Sequence, residues 1–392
     1  MSNIAVQLIP KKSSTLHDFP YASPARKCFH CWIINVTPAG PRHCIHSCLY
    51  CYGRDAIYSD YSDQMKIYNN LPELVERDLN KIDLCPPISL SNITDPCQDV
   101  PELRREVKRL VQLLVRYGVS FAITTKGDPS FLLDIPGFVE HEPKFVAVTI
   151  EGTADVLGLL SPQAPHFEER LKEVSLFSGL GIGTVIRFDP VFPHLFQALY
   201  GDDWLGRIER LIEVFAGNGA RHIVASTGRL SRMAPQSGEP SIWQRVASLI
   251  EECSPSAAQA FQKEYVYQRG GTSQGYLWRK DLRLAFHRSV REMTEAKGMT
   301  YATCQELSAA ESDSEGIPHC EGLPLPFTTK GSDGRFHPIQ GCTANCHVSC
   351  RDFDSPPCGQ IKLVKPQPFQ LGDLRRFQGS QLVLPKPSAQ GY

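Results

Sequence analysis

Three cysteines, Cys44, Cys48 and Cys51 in the segment CIHSCLYC, have the types and spacing most able to do chemistry in this sequence. Separated by three and then two residues, their thiolates can each ligate one iron of a [4Fe-4S] cube, leaving the fourth iron open. Ferredoxin-type clusters close that position with a fourth cysteine and mainly move electrons. An open iron can instead bind and activate a second molecule. A zinc knuckle built from Cys28, Cys31 and two of the triplet is the competing arrangement. Cys28 and Cys31 by themselves suit packing as well as ligation.

The chain carries 14 cysteines. Cys304, Cys320, Cys342, Cys346 and Cys350 supply more thiols than one closed site needs, so a second metal is expected. It is either an auxiliary [4Fe-4S] cluster, held by Cys304 and Cys320 with two of the other three, or structural zinc, since four thiolates serve both. Cys85, Cys97, Cys253 and Cys358 stand apart and read as small buried side chains. The start, MSNIAVQLIPKKSS, lacks a secretory h-region, and no apolar run reaches the roughly 18 residues of a membrane span. Reduced thiols and a cytoplasmic location, away from the membrane, are therefore expected.

These residues need a scaffold, and the chain from residue 32 to about 225 alternates short apolar or β-branched runs with amphipathic stretches. Strands are expected at 32–37, 88–92, 119–125, 144–150, 183–188 and 221–226. Val107, Leu110, Val111 and Leu114 fall at helical spacing before Gly118, which sits where a helix ends. Six βα repeats make an α/β fold with a parallel sheet, a partial (βα)6 TIM-like barrel, and ligands then gather at the carboxyl ends of its strands. The cysteine triplet follows the first strand. A helix at about 280–297 closes the region. The expected divisions are an N-terminal segment (1–31), the barrel (32–299), a cysteine-rich metal-binding extension (300–358) held together by metal more than by apolar area, and a proline- and glutamine-rich tail (359–392).

With Tyr50 before its third cysteine and its place after the first strand, the triplet resembles the signature of the radical S-adenosylmethionine superfamily. A narrower resemblance, to the spore photoproduct lyase-like group, runs from about residue 32 to 195. It is carried by RHCIHSCLYCYGRDAI, ITDPCQDVPE, ITTKGD and SPQAPHFEERLKEVSLFSGLGIGTVIRFDPVFP, in that order. The resemblance implies an enzyme that cleaves S-adenosylmethionine at its [4Fe-4S] cluster to a 5′-deoxyadenosyl radical, which takes hydrogen from an organic substrate. A one-electron donor such as flavodoxin or ferredoxin is implied as partner.

The family's Gly-Gly-Glu-like segment is replaced here by SLSNITD, so Ser91, Asn92 and Thr94 become the candidate partners of the methionine amino group. Asp95 either binds there or caps the next helix. Lys126 matches a lysine that approaches the cofactor carboxylate. Thr149 and Glu151 are placed to meet ribose hydroxyls, and Arg187 and Asp189 bind a ligand or form an ion pair. Cys97 is displaced from the position of the cysteine that returns hydrogen in photoproduct repair.

Substrate and reaction class (lyase, oxidoreductase or transferase) stay open between small molecule, peptide and nucleic acid. Methyl or aminocarboxypropyl transfer and spore photoproduct-type DNA repair are the enzymatic alternatives. A non-catalytic, metal-scaffolded nucleic-acid-binding protein rests on Lys362, Lys365, Arg375, Arg376 and Lys386 alone. A formal net charge of -1 and a pI near 6.9 give no global attraction to polyanions.

Overall fold

The computed structural model describes residues 4–13, 15, 28–232, 234–235, 238–268, 275–364 and 370–375. Its centre is a sheet of seven parallel strands: β1 (Trp32–Ile34), β2 (Ile88–Leu90), β3 (Phe121–Thr125), β4 (Lys144–Thr149), β5 (Gly183–Phe188), β6 (His222–Ala225) and β7 (Thr300–Thr303). Each strand pairs with the next in sequence, through registers such as Trp32 with Ile88, Phe121 with Lys144 and His222 with Thr300. Sequential parallel pairing with helical crossovers is the topology of a partial barrel. All six expected strands are present, most of them shorter than expected. A seventh strand was not expected: TYAT, within the stretch expected to be the extension, pairs with β6, so the barrel sheet runs past residue 299.

The helices sit where periodicity and caps put them. In α1 (Pro101–Tyr117) Pro101 opens the helix, Leu103, Val107, Leu110, Val111 and Leu114 are buried, and Gly118 closes it at φ 75° with its N–H on Leu114 and Val115. A Cβ at Gly118 would stand 2.3 Å from the Phe336 carbonyl oxygen, so the C-terminal segment packs directly on this turn. Helices α2 (Phe167–Gly179), α3 (Trp204–Gly217) and α4 (Lys280–Glu295) complete the outer layer considered below. Among the described residues, no helix is long and apolar enough to cross a membrane.

The extension is not held by metal alone. Thr328–Lys330 pairs with Phe336–Pro338 and with Leu84–Cys85 of the barrel side. Leu325, Phe327, Phe336, Cys346, Cys358 and Leu363 join the same buried core as the barrel strands. Apolar burial of this kind is an ordinary driving force for docking, so the segment has more apolar packing than was expected of it. Of the tail cations, Lys362 pairs with Asp373 at 3.1 Å and Arg375 donates to the Lys81 carbonyl oxygen at 3.1 Å. Lys365, Arg376 and Lys386 lie outside the described residues.

Candidate active site

The cysteine loop hangs from the end of β1 and is fixed from several sides. The buried Gln98 side chain accepts from the Ile45 N–H (2.8 Å) and donates to the carbonyl oxygens of His43 (3.2 Å) and Asp95 (2.7 Å). The Leu49 N–H bonds the Leu160 carbonyl at 2.8 Å, and Arg245 donates to the Leu49 carbonyl at 3.0 Å and to Asp55 at 2.6 Å. Ser47 takes a left-handed backbone (φ 48°), which turns the chain between Cys44 and Cys48. A loop clamped in this way presents its three thiols in one arrangement.

Burial pushes the Cys44 thiol far up, with Asp95, Cys48 and Cys51 adding to the effect. Cys48 is pushed up to about 12 by burial, against the opposing pull of Lys126. Buried thiols of this kind lose their protons when a metal compensates the charge. Among the described residues, no three His, Cys, Asp or Glu side chains converge on one point as single-ion ligands do. A cubane spreads three thiolates over separate irons, whereas one zinc ion draws four ligands to a point.

Beyond the loop, Glu151 is the hub. Arg170, from α2, donates to its Oε2 at 2.6 Å, to the Thr149 carbonyl at 2.9 Å and to Ser161 Oγ at 2.8 Å. Tyr50 Oη donates to Glu151 Oε1, and Lys126 Nζ lies 3.5 Å from the same oxygen and 5.4 Å from the Tyr50 ring centre. Burial alone would raise the Glu151 carboxyl, but Lys126 and Arg170 hold it down at about 2. Burial would lower Lys126, yet Glu151 and Cys48 beside it hold it above the ordinary lysine value. Glu151, expected to meet ribose hydroxyls, thus has both oxygens engaged by protein; this is a correction. Thr149 is buried beside it.

Ser91, at the end of β2, fits a ligand best. It is 5% exposed, its backbone is left-handed (φ 59°) and its hydroxyl has no partner in the protein. Asn92 accepts from Ser89 at 2.7 Å through its side chain and from Tyr52 Oη through its carbonyl. Thr94 is tied to Thr37, hydroxyl to hydroxyl, at 2.5 Å. The Thr94 hydroxyl is thus engaged where that of Ser91 is not. Asp95 does not cap the next helix, whose cap position is Val100. It accepts from Thr125 Oγ1 (2.6 Å) and the Lys126 N–H (2.5 Å), and His46 Nε2 lies 3.2 Å away. Burial would raise its carboxyl, but these partners hold it well below the carboxylate range. Cys97 is fully buried.

Arg187 reaches the other way. It pairs with Asp189 at 2.7 Å and with Glu321, and its Nη2 lies 3.8 Å from Cys304 Sγ. The extension is thereby brought to the carboxyl ends of the barrel strands. The C-terminal cysteines do not group as expected. Cys342, Cys346, Cys350 and Cys358 stand together, each of the other three acting on the Cys346 thiol after burial has pushed it up. Burial, with Cys342 and Cys350, takes Cys358 up to about 11. Cys304 lies beside Arg187 and Asp189, with Cys320 among its charged neighbours. Sequence spacing missed Cys358, which a loop of seven intervening residues returns to the group. It also missed Gln98 and Arg170, whose long polar side chains in apolar surroundings are visible only once folded.

A curled parallel sheet with a clamped three-thiol loop after its first strand and a cation beside the third strand's end is the scaffold of a cofactor-dependent α/β enzyme. No family model matches the chain. A radical SAM Nalpha-GlyT isomerase of Pseudomonas phage M6 is 24% identical over 364 residues, 88% of this chain and 71% of that protein. Spore photoproduct lyase has the same fold: a mutant with bound AdoMet and dinucleoside spore photoproduct superposes with a TM-score of 0.52, 14% identity, and 77% and 82% of the two chains covered. A second mutant, with the dinucleoside, gives 0.51, 14%, 76% and 82%. The chain thus shares its fold with one radical S-adenosylmethionine enzyme and is similar in sequence to another. In radical S-adenosylmethionine enzymes a [4Fe-4S] cluster and S-adenosylmethionine are the cofactors.

Proposed function

We propose that Cys44, Cys48 and Cys51 hold the cluster, and that the enzyme cleaves S-adenosylmethionine reductively and rearranges an organic substrate, returning the hydrogen it removes. Bound there, the cluster and S-adenosylmethionine supply a 5′-deoxyadenosyl radical able to take hydrogen from a C–H bond. The observation that carries the reading is the unpartnered, buried Ser91 hydroxyl at one strand end with Lys126 at the next, both on the face that bears the thiol loop. Ser91 Oγ accepts from the methionine ammonium, and Lys126 shares its charge between Glu151 and the methionine carboxylate. Arg170 and Tyr50 keep Glu151 from turning into the site. The isomerase outcome is supported by the named activity of the phage relative, and Nalpha-GlyT is the first substrate to test.

The same reading puts a second [4Fe-4S] cluster on Cys342, Cys346, Cys350 and Cys358, and requires a one-electron donor such as flavodoxin or ferredoxin. The test uses reduced, anaerobically reconstituted enzyme with S-adenosylmethionine. It should release 5′-deoxyadenosine and methionine, and Cys48→Ala should abolish this. Accumulation of methylthioadenosine or S-adenosylhomocysteine would instead mean group transfer. With the right substrate, deuterium on the attacked carbon should reappear in product while S-adenosylmethionine is regenerated; net consumption of one S-adenosylmethionine per turnover removes the isomerase reading.

A further inference from the structure

We infer that Cys28, Cys304 and Cys320 hold a third iron–sulfur cluster, separate from the catalytic triplet and from the quartet at Cys342 to Cys358, with Cys31 as the candidate fourth ligand. Cys28 and Cys320 pack together with Ala302 of β7 in a small buried cluster of their own, apart from the main core. Cys304 follows β7 directly, and Cys320 is among its charged neighbours with Arg187, Asp189 and Glu321. Cys320 thus has Cys28 packed on one side and Cys304 as a charged neighbour on the other, at the edge of the sheet. Cys31 is buried three residues beyond Cys28, a spacing that lets both thiols of such a pair reach one site.

Cys320 is held in place by β6. His222 bonds the Cys320 carbonyl oxygen through Nε2 at 2.9 Å and Thr300 Oγ1 through Nδ1 at 2.8 Å. Gly322, at φ 71°, lies so close that a Cβ there would stand 2.2 Å from the His222 ring. The Cys28 side is held too: the His30 N–H donates to the Ala344 carbonyl at 2.7 Å, and the Phe29 ring lies 4.6 Å from that of His319.

The independent sign of an occupant is His319. It is 2% exposed, and its Nε2 has no hydrogen-bond partner in the protein. Its Nδ1 accepts from the Glu321 N–H at 3.3 Å, so in the neutral ring the proton sits on Nε2. A buried N–H without an acceptor is costly, and a sulfur of a neighbouring cluster supplies the acceptor.

The test counts metal in the anaerobically reconstituted full chain, by iron and sulfide analysis with Mössbauer spectroscopy. With four irons per cluster, about twelve irons are expected. Cys304→Ser/Cys320→Ser should keep about eight, and so should Cys342→Ser/Cys346→Ser. A native count near eight that is unchanged in Cys304→Ser/Cys320→Ser overturns the proposal, as does one zinc with about eight irons or a Cys28 to Cys320 disulfide in the native protein. A native count near eight that falls to about four in Cys304→Ser/Cys320→Ser sinks the quartet and supports this site. His319→Phe, which keeps the ring packing, should retain the iron and lower the reduction potential of one cluster; unchanged potentials would count against a sulfur as the acceptor.

Discussion

The lysine and glutamate at the centre of the site illustrate how one side chain can be read from sequence and its neighbour misread. Lys126 has the expected position, but its charge is already shared with Glu151. Charge-assisted hydrogen bonds are worth about 1.5 to 3 kcal/mol, so Lys126→Ala should weaken S-adenosylmethionine binding about ten- to a hundredfold while leaving the iron content unchanged. Equilibrium binding to the reconstituted protein reads this directly, and equal affinity would make Lys126 only a partner of Glu151. Glu173 in α2 offers a test of stability instead. It is buried, its Oε2 has no partner, and burial followed by Asp128 raises its carboxyl to about 7. The folded state then holds the proton more tightly than the unfolded one. Its contribution is fully present below about pH 4, near the unfolded value, and is lost as pH rises through about 7. Glu173→Gln should leave the urea midpoint nearly unchanged at pH 4 and raise stability by about 1 to 3 kcal/mol at pH 8. A midpoint that does not move at pH 8 would mean the carboxyl is solvated.

At the scale of elements, the thiol loop depends on a residue that follows β2. Gln98 satisfies one donor and two acceptors between that segment and the loop. Truncation to Ala leaves buried backbone groups unpaired, each costing about 1 to 3 kcal/mol. Gln98→Ala should therefore lower the denaturant midpoint and shed iron selectively from the triplet on gel filtration, with the C-terminal iron retained. Retention of the full iron content after gel filtration would show that the other clamps, Arg245 and the Leu160 carbonyl, hold the loop alone. Most of the strands were legible because buried parallel strands read as short β-branched runs between glycine-ended helices. The seventh was not, because TYAT is too short to show a pattern and was taken with the cysteine it precedes.

Over the whole molecule, barrel and extension share one core, in which Phe327 is fully buried with Leu325 and Phe336. Phe327→Ala should cost about 3 to 5 kcal/mol, as a core truncation does, and the variant should still unfold in one transition. Two separate transitions, with the barrel unaffected, would restore the extension as an independent metal-held unit.

The sequence by itself carried the superfamily resemblance, the strand rhythm and the three-cysteine loop. Each is local: a spacing of three and two residues, or a period of two or 3.6, is complete within a short stretch of chain. Only the tertiary structure decided which distant side chains meet. It put Cys358 with Cys342, Cys346 and Cys350, set Cys304 beside Arg187, packed Cys28 against Cys320, and engaged the Glu151 carboxylate with Arg170. Pairings of this kind depend on how sheet register and helix packing bring remote segments together, and no short-range pattern records that geometry.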